Sequence, residues 1–130
     1  MKHVNISRLR EIAEVEFGEV VVDTKSSDLN EFRIILIDSS FVDVWFSLKL
    51  EGRYSYHWER KAIDGTICRH DNAPHKHWRE VKTFPKHFHD GSEERVKESD
   101  ISDVPEEGLR EFLAYVRDRL KVGNQAQGQR

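Results

Sequence analysis

The chain has 130 residues, the length of one ordinary domain and too short for two well-packed ones. Charged residues reach 35%, above the usual share of about a quarter, yet 37% hydrophobic residues still supply a core and argue against wholesale disorder. The net charge of −3 excludes a uniformly basic nucleic-acid coat, the longest clean apolar run (Ile34 to Ile37) is far below the roughly 18–20 residues of a membrane span, and the single cysteine, Cys68, cannot close an intrachain disulfide. Met1-Lys2-His3-Val4-Asn5 carries no apolar signal segment, so the expectation is a soluble, cytoplasmic domain over 1–122 with a disordered, glutamine- and glycine-rich tail over 123–130.

Leu9, Ile12, Ala13 and Phe17 fall at helical spacing, which predicts a helix over Ser7 to Phe17 with Gly18 as its stop. The apolar period then changes from 3.6 to 2. Val20-Val21-Val22 opens a β-rich stretch, and Phe32, Ile34 and Leu36 share one face of the next strand. After the turn residues Asp38-Ser39-Ser40, the run from Phe41 to Leu50 predicts a strand with Val42, Val44, Phe46, Leu48 and Leu50 on one side. Glu51-Gly52 marks a turn, Arg53 to Arg60 alternates again, and Asp64-Gly65 suits a type I′ hairpin turn. Beyond Pro105, Leu109, Phe112, Leu113, Val116 and Leu120 form one helical stripe, with Glu106 and Glu107 at the positive end of the helix dipole and Gly123 as its stop. Two one-faced helices and a one-faced sheet can cover one another. The expected fold is therefore α+β: an antiparallel meander of four to five strands packed with an N-terminal and a C-terminal helix.

Six of the seven histidines lie between His57 and His89, in a stretch that also holds Asp71-Asn72-Ala73-Pro74 and Phe84-Pro85. Pro74 forces Ala73 into an extended conformation, and Asp71 or Asn72 can cap its own backbone, so Arg69 to His75 reads as a strand end turning into an irregular loop. From Arg53 to Lys97 the charge is +3, leaving −6 for the rest, an acidic body with a basic, histidine-rich region suited to phosphate. Three readings of the histidines follow. His75-x-His77 and His87-x-His89 could close a zinc site with Asp71 or Asp90, although the spacing of known zinc modules is absent and the basic neighbours repel a cation. Alternatively, His57, His75, His87 and His89 could act as acid and base on RNA, with Arg69 holding the phosphate and the aromatics stacking on bases. Each residue also has an ordinary role: Tyr54, Tyr56 and Trp58 as core, His57 on the opposite face, His70 as a surface strand residue, Cys68 as inert core, and Glu93-Glu94 as a loop face.

Tyr54-Ser55-Tyr56-His57-Trp58, then Arg69-His70-Asp71-Asn72-Ala73-Pro74-His75, then Thr83-Phe84-Pro85-Lys86-His87-Phe88-His89 resemble the TumE-like proteins, toxins of prokaryotic type II toxin–antitoxin pairs. The resemblance covers roughly Phe32 to His89, with Lys76 and Lys86 at positions where the family often carries histidine. It implies a toxin role and a small helix-turn-helix antitoxin as partner. The matching site positions are His57, Arg69, Asp71, Asn72, His75, His87 and His89. A helix leading into a meander is also similar to the plan of RelE-like RNA-cleaving toxins, an analogy of fold alone.

The resulting expectation is a toxin acting on RNA as a metal-independent endoribonuclease with no cofactor. His75 and His87 or His89 would move protons, His57 would assist, Arg69 would hold the phosphate, and Asp71 would orient a histidine or the turn. Lys76, Arg79, Lys82 and Lys86 would make sequence-independent phosphate contacts. The alternatives are a non-catalytic protein-interaction module and a metal-binding protein using His75, His77, His87 and His89.

Overall fold

The computed structural model describes residues 3–128, with side chains described for all of these except 27 and 122–128. Helix α1 (Ile6–Glu16) starts one residue before the expected Ser7, because the Asn5 side chain caps it by accepting the Arg8 N–H at 3.0 Å. Seven strands follow: β1 (Val21–Asp28), β2 (Glu31–Leu36), β3 (Phe41–Phe46), β4 (Tyr54–Arg60), β5 (Thr66–Asp71), β6 (His87–Gly91) and β7 (Val96–Glu98). They form one antiparallel meander in sequence order, and helix α3 (Pro105–Gly128) returns over the sheet.

The α+β architecture with flanking helices matches the expectation, but seven strands replace four or five. The additional pairing lies where the apolar alternation fails. β6 reads His-Phe-His-Asp-Gly, and β7 is a three-residue edge with no buried residue. Backbone pairing to β5 defines β6, so a hydrophobic pattern could not reveal it.

Local chemistry corrects three further boundaries. β3 stops at Phe46 because the Ser47 hydroxyl accepts the N–H groups of Lys49 and Leu50, turning the chain and leaving Leu48 and Leu50 exposed. Between β4 and β5 the expected type I′ turn is a single helical turn, α2 (Lys61–Asp64), closed by Gly65 at φ 79°. Helix α3 passes Gly123, its expected stop, and continues to Gly128. Of the tail expected at 123–130, the last two residues lie outside the described residues.

Alternation assigns the two sheet faces. Phe32, Ile34, Leu36, Val42, Val44, Phe46, Tyr54, Tyr56 and Trp58 point inward and are buried against Leu9 and Ile12 of α1 and the Leu109–Phe112–Leu113–Val116–Leu120 stripe of α3. Burial of each large side chain contributes about 1.5–3 kcal/mol, so this layer dominates stability. Among the described residues no α-helix packs on the outer face. Register sets Arg33, Asp43, His57, Arg69 and His89 side by side across β2 to β6, with Trp45, Ser55, Asp71 and His87 in the adjacent row.

Candidate functional site

That outer face collects the histidine-rich motifs. The segment after β5 folds back over β5 and β6 through a short 3-10 turn, Lys76–Trp78, which places the Trp78 ring 6.5 Å from His87 and 6.0 Å from His89. Two polar side chains on an otherwise open face thereby become buried, His87 completely and His89 to 3% exposure. Beside them opens a cleft of about 390 Å³ lined by Arg69, Asp71, His75, His77, Trp78 and His89 together with Glu93 and Glu94.

Asp71 is the hub. Its Oδ1 accepts the Ala73 N–H at 3.0 Å, closing the expected Asx turn, and its Oδ2 accepts Arg69 Nε–H at 3.1 Å. His87 Nε2 lies 3.2 Å from Oδ1 and His89 Nε2 lies 3.8 Å from Oδ2. The His87 contact is out of line for a ring N–H, so this buried nitrogen has no hydrogen bond despite its short distance to the carboxylate. Burial alone would raise the Asp71 pKa, but the His87 ring, the Ala73 N–H and Arg69 outweigh it and hold the carboxyl down at about 2.

Main-chain carbonyls orient both imidazoles: His87 Nδ1–H donates to Pro85 O at 2.9 Å and His89 Nδ1–H to Glu93 O at 2.8 Å. Burial disfavours the cation of each ring. At His87 the Asp71 carboxylate and the Pro85 carbonyl overcome it and the pKa is raised; at His89 burial prevails, reinforced by Arg69 and His87, and the pKa is lowered.

The Arg69 guanidinium is heavily engaged. It forks onto Glu93 at 2.8 and 2.5 Å, contacts Asp71, and donates to His57 Nδ1 at 3.3 Å, while His57 Nε2 meets Glu59 Oε1 at 3.1 Å. The Glu93 hydrogen bonds are the main reason the Arg69 pKa is raised. Both nitrogens of His57 are thus occupied, Nδ1 by Arg69 and Nε2 by Glu59.

The family model described as Toxin TumE matches residues 4–120. The chain belongs to the TumE toxin family. No curated protein and no solved structure matches it. Membership gives the protein a toxin role and implies an antitoxin partner. No helix among the described residues is long and apolar enough to cross a membrane.

The TumE-like motifs converge in space. Asp71, His87, His89 and Arg69 meet, with His57 behind Arg69 and His75 exposed on the lip of the cleft. Asn72 serves the fold: its Oδ1 accepts the Tyr54 N–H at 2.9 Å and its Nδ2 donates to Gly52 O at 2.7 Å. Lys76, Arg79 and Lys82 are exposed and form no ion pair among the described residues. Lys86 instead donates to Ile101 O and sits 3.5 Å from Asp103, tying its loop to the segment before α3. His70, expected at the surface, is on the helix-covered face, stacked on Phe88 at 4.3 Å and hydrogen-bonded to Ser99 Oγ at 2.7 Å; burial pushes its pKa down to about 4.

Of the residues offered for a metal, Asp71, His87 and His89 place one donor atom each within 4.8 Å of one another, whereas His75 and His77 are exposed and Asp90 pairs with Lys97 at 2.7 Å. Glu93 is the residue that sequence reasoning missed, whereas Trp78, expected as a base-stacking aromatic, also lies over His87 and His89. Glu93 reaches Arg69 from 24 positions away across the β6–β7 turn, and no local pattern signals that contact.

Proposed function

We propose that this TumE-family toxin is an endoribonuclease that cleaves RNA without a metal, with His89 and His75 as its proton-transfer pair. The carrying observation is that His89, its Nδ1–H fixed on the Glu93 carbonyl, lines the same open cleft as His75 and Arg69. With Nδ1 committed, the neutral His89 ring presents a lone pair at Nε2, the atom a general base needs. That base takes the proton from a ribose 2′-hydroxyl, the oxygen attacks phosphorus, and the P–O5′ bond breaks as His75 protonates the leaving oxygen. The products are a 2′,3′-cyclic phosphate and a 5′-hydroxyl. Arg69 stabilises the charge on the phosphate as the exposed Glu93 is displaced from its fork, with His57 and Asp71 holding the guanidinium. Lys76, Arg79 and Lys82 contact flanking phosphates, and Trp78 stacks on a base. The antitoxin is expected to be a small helix-turn-helix protein, and the site of action the cytoplasm.

The test is cleavage of RNA with and without EDTA by the protein and its His75→Ala variant, an exposed substitution that spares the core. Cleavage should survive EDTA, and the variant should bind RNA without turning it over. Normal cleavage by the variant, or activity lost to EDTA and restored by a metal, refutes the assignment.

A further inference from the structure

Two neighbouring strands bring three ligand-type side chains together beneath the Trp78 turn. Asp71 ends β5 and His87 and His89 are alternate residues of β6, so the pleat puts all three on the outer face with Asp71 directly opposite His87. Both Nδ1–H groups are committed to main-chain carbonyls, at 2.9 Å for His87 and 2.8 Å for His89. Such anchoring is the usual outer support of a metal-bound histidine, because it fixes the ring and leaves the Nε2 lone pair free to coordinate. Here the two Nε2 atoms stand 3.2 and 3.8 Å from the Asp71 carboxylate oxygens. Four ligands held about 2.0–2.2 Å from a tetrahedral zinc ion lie roughly 3.3–3.6 Å apart, and here one donor atom from each of the three residues falls within 4.8 Å of the others, so a small inward closure of the side chains seats the ion.

His87 Nε2 is fully buried with no aligned hydrogen-bond partner although it lies beside the Asp71 carboxylate, an orphaned polar atom that an ion seated between the two would satisfy. We propose that Asp71, His87 and His89 form a site for one divalent transition-metal ion of the zinc class, with its fourth position open to the cleft. Two imidazoles and one carboxylate suit zinc and its neighbours, whereas magnesium requires a shell dominated by oxygen. Arg69 opposes a cation, but Asp71 and Glu93 both pair with it and leave the immediate group net negative. Trp78 covers the two rings and limits access of water from its side. Metal bound there occupies His89 Nε2, so zinc would switch off RNA cleavage; this consequence, unlike the binding itself, rests on the RNA-cleaving reading.

The experiment titrates chelator-treated full-length protein, purified without a histidine tag, with Zn²⁺ and separately with Mg²⁺ in a calorimeter. Cobalt(II) serves as an optical probe of the wild-type site. The expected result is one saturable Zn²⁺ per chain, no saturable Mg²⁺, and cobalt visible bands typical of four-coordinate nitrogen and oxygen ligation. His89→Gln should weaken Zn²⁺ binding by at least about tenfold, while the exposed pair His75→Ala/His77→Ala should leave it unchanged. Circular dichroism verifies that His89→Gln is folded, and the cobalt spectrum tests coordination without any substitution. Absence of saturable zinc binding, or binding lost in the His75/His77 variant and kept in His89→Gln, overturns the proposal. Zinc binding at the triad in a protein that cleaves no RNA supports the site and refutes the nuclease reading; cleavage abolished by one equivalent of zinc and recovered with EDTA supports both.

Discussion

Replacing Gly108 with alanine should destabilise the fold, against the usual effect of that exchange in a helix. Within a helix alanine is better than glycine by about 1 kcal/mol. Gly108 is the fourth residue of α3, however, and a Cβ there would stand 2.7 Å from Ser102 O, 2.7 Å from Tyr56 Oη and 3.3 Å from Tyr56 Cζ. Neither neighbour yields easily. Tyr56 is buried, stacked on Phe112 and packed against Tyr54, while Ser102 is pinned by Glu111 at its N–H and Glu107 at its hydroxyl. Overpacking typically costs about 1–3 kcal/mol, and two contacts at 2.7 Å place this site in the upper half of that range, about 2–3 kcal/mol, so after the helix gain Gly108→Ala should still lose about 1–2 kcal/mol in urea unfolding. Tyr56→Phe removes one of the two closest contacts but not the Ser102 carbonyl. The double variant should therefore recover only part of the loss, with a coupling of about 1 kcal/mol. A Gly108→Ala protein as stable as the parent would refute the close seating of α3 on β4.

The three tyrosines should be silent near pH 10. Burial keeps the phenols of Tyr54 and Tyr56 protonated well above the usual range and pushes Tyr115 up to about 12. The folded chain retains protons that the unfolded chain releases near pH 10, so the stabilisation is complete below that pH and declines above it. Phenolate absorbance should rise with alkaline unfolding, and a native-state step at pH 10 would contradict this. Asn72→Ala should cost about 1–3 kcal/mol in thermal or urea unfolding, because it leaves the Tyr54 N–H of a buried residue without its acceptor; a loss under half a kilocalorie would place the staple elsewhere. Lys76→Ala and Lys82→Ala should leave the melting temperature unchanged while each lowers the log–log salt slope of RNA binding by about 0.7, whereas Lys86→Ala should lower the melting temperature because it frees the Ile101 carbonyl contact. An unchanged salt slope in the first two would remove them from the phosphate track.

Much of the inner layer was legible because burial there is periodic. Val42, Val44 and Phe46 alternate into the core, as do Tyr54, Tyr56 and Trp58, and the α3 stripe lies at helical spacing. The outer layer was less legible. His87 and His89 alternate as a strand should, but as polar residues they resemble a loop, and only pairing with β5 makes them part of the sheet. His70 illustrates the converse. A titratable residue beside Arg69 reads as surface, yet its position one step along the pleat turns it toward Phe88 and Phe112 on the helix-covered side.

The α+β class, the turn after Asp71 and the motifs of a TumE-family toxin could all be read from the order of residues. Nothing short of the folded chain shows that His75 stands on the lip of the cleft while His87 lies buried beneath Trp78, or that Glu93 rather than solvent occupies the Arg69 fork. The physical reason is one of range. Backbone propensity, capping and apolar period act over a few residues, whereas these contacts depend on cross-strand register and on how a turn folds over a sheet, which packing of the whole chain sets.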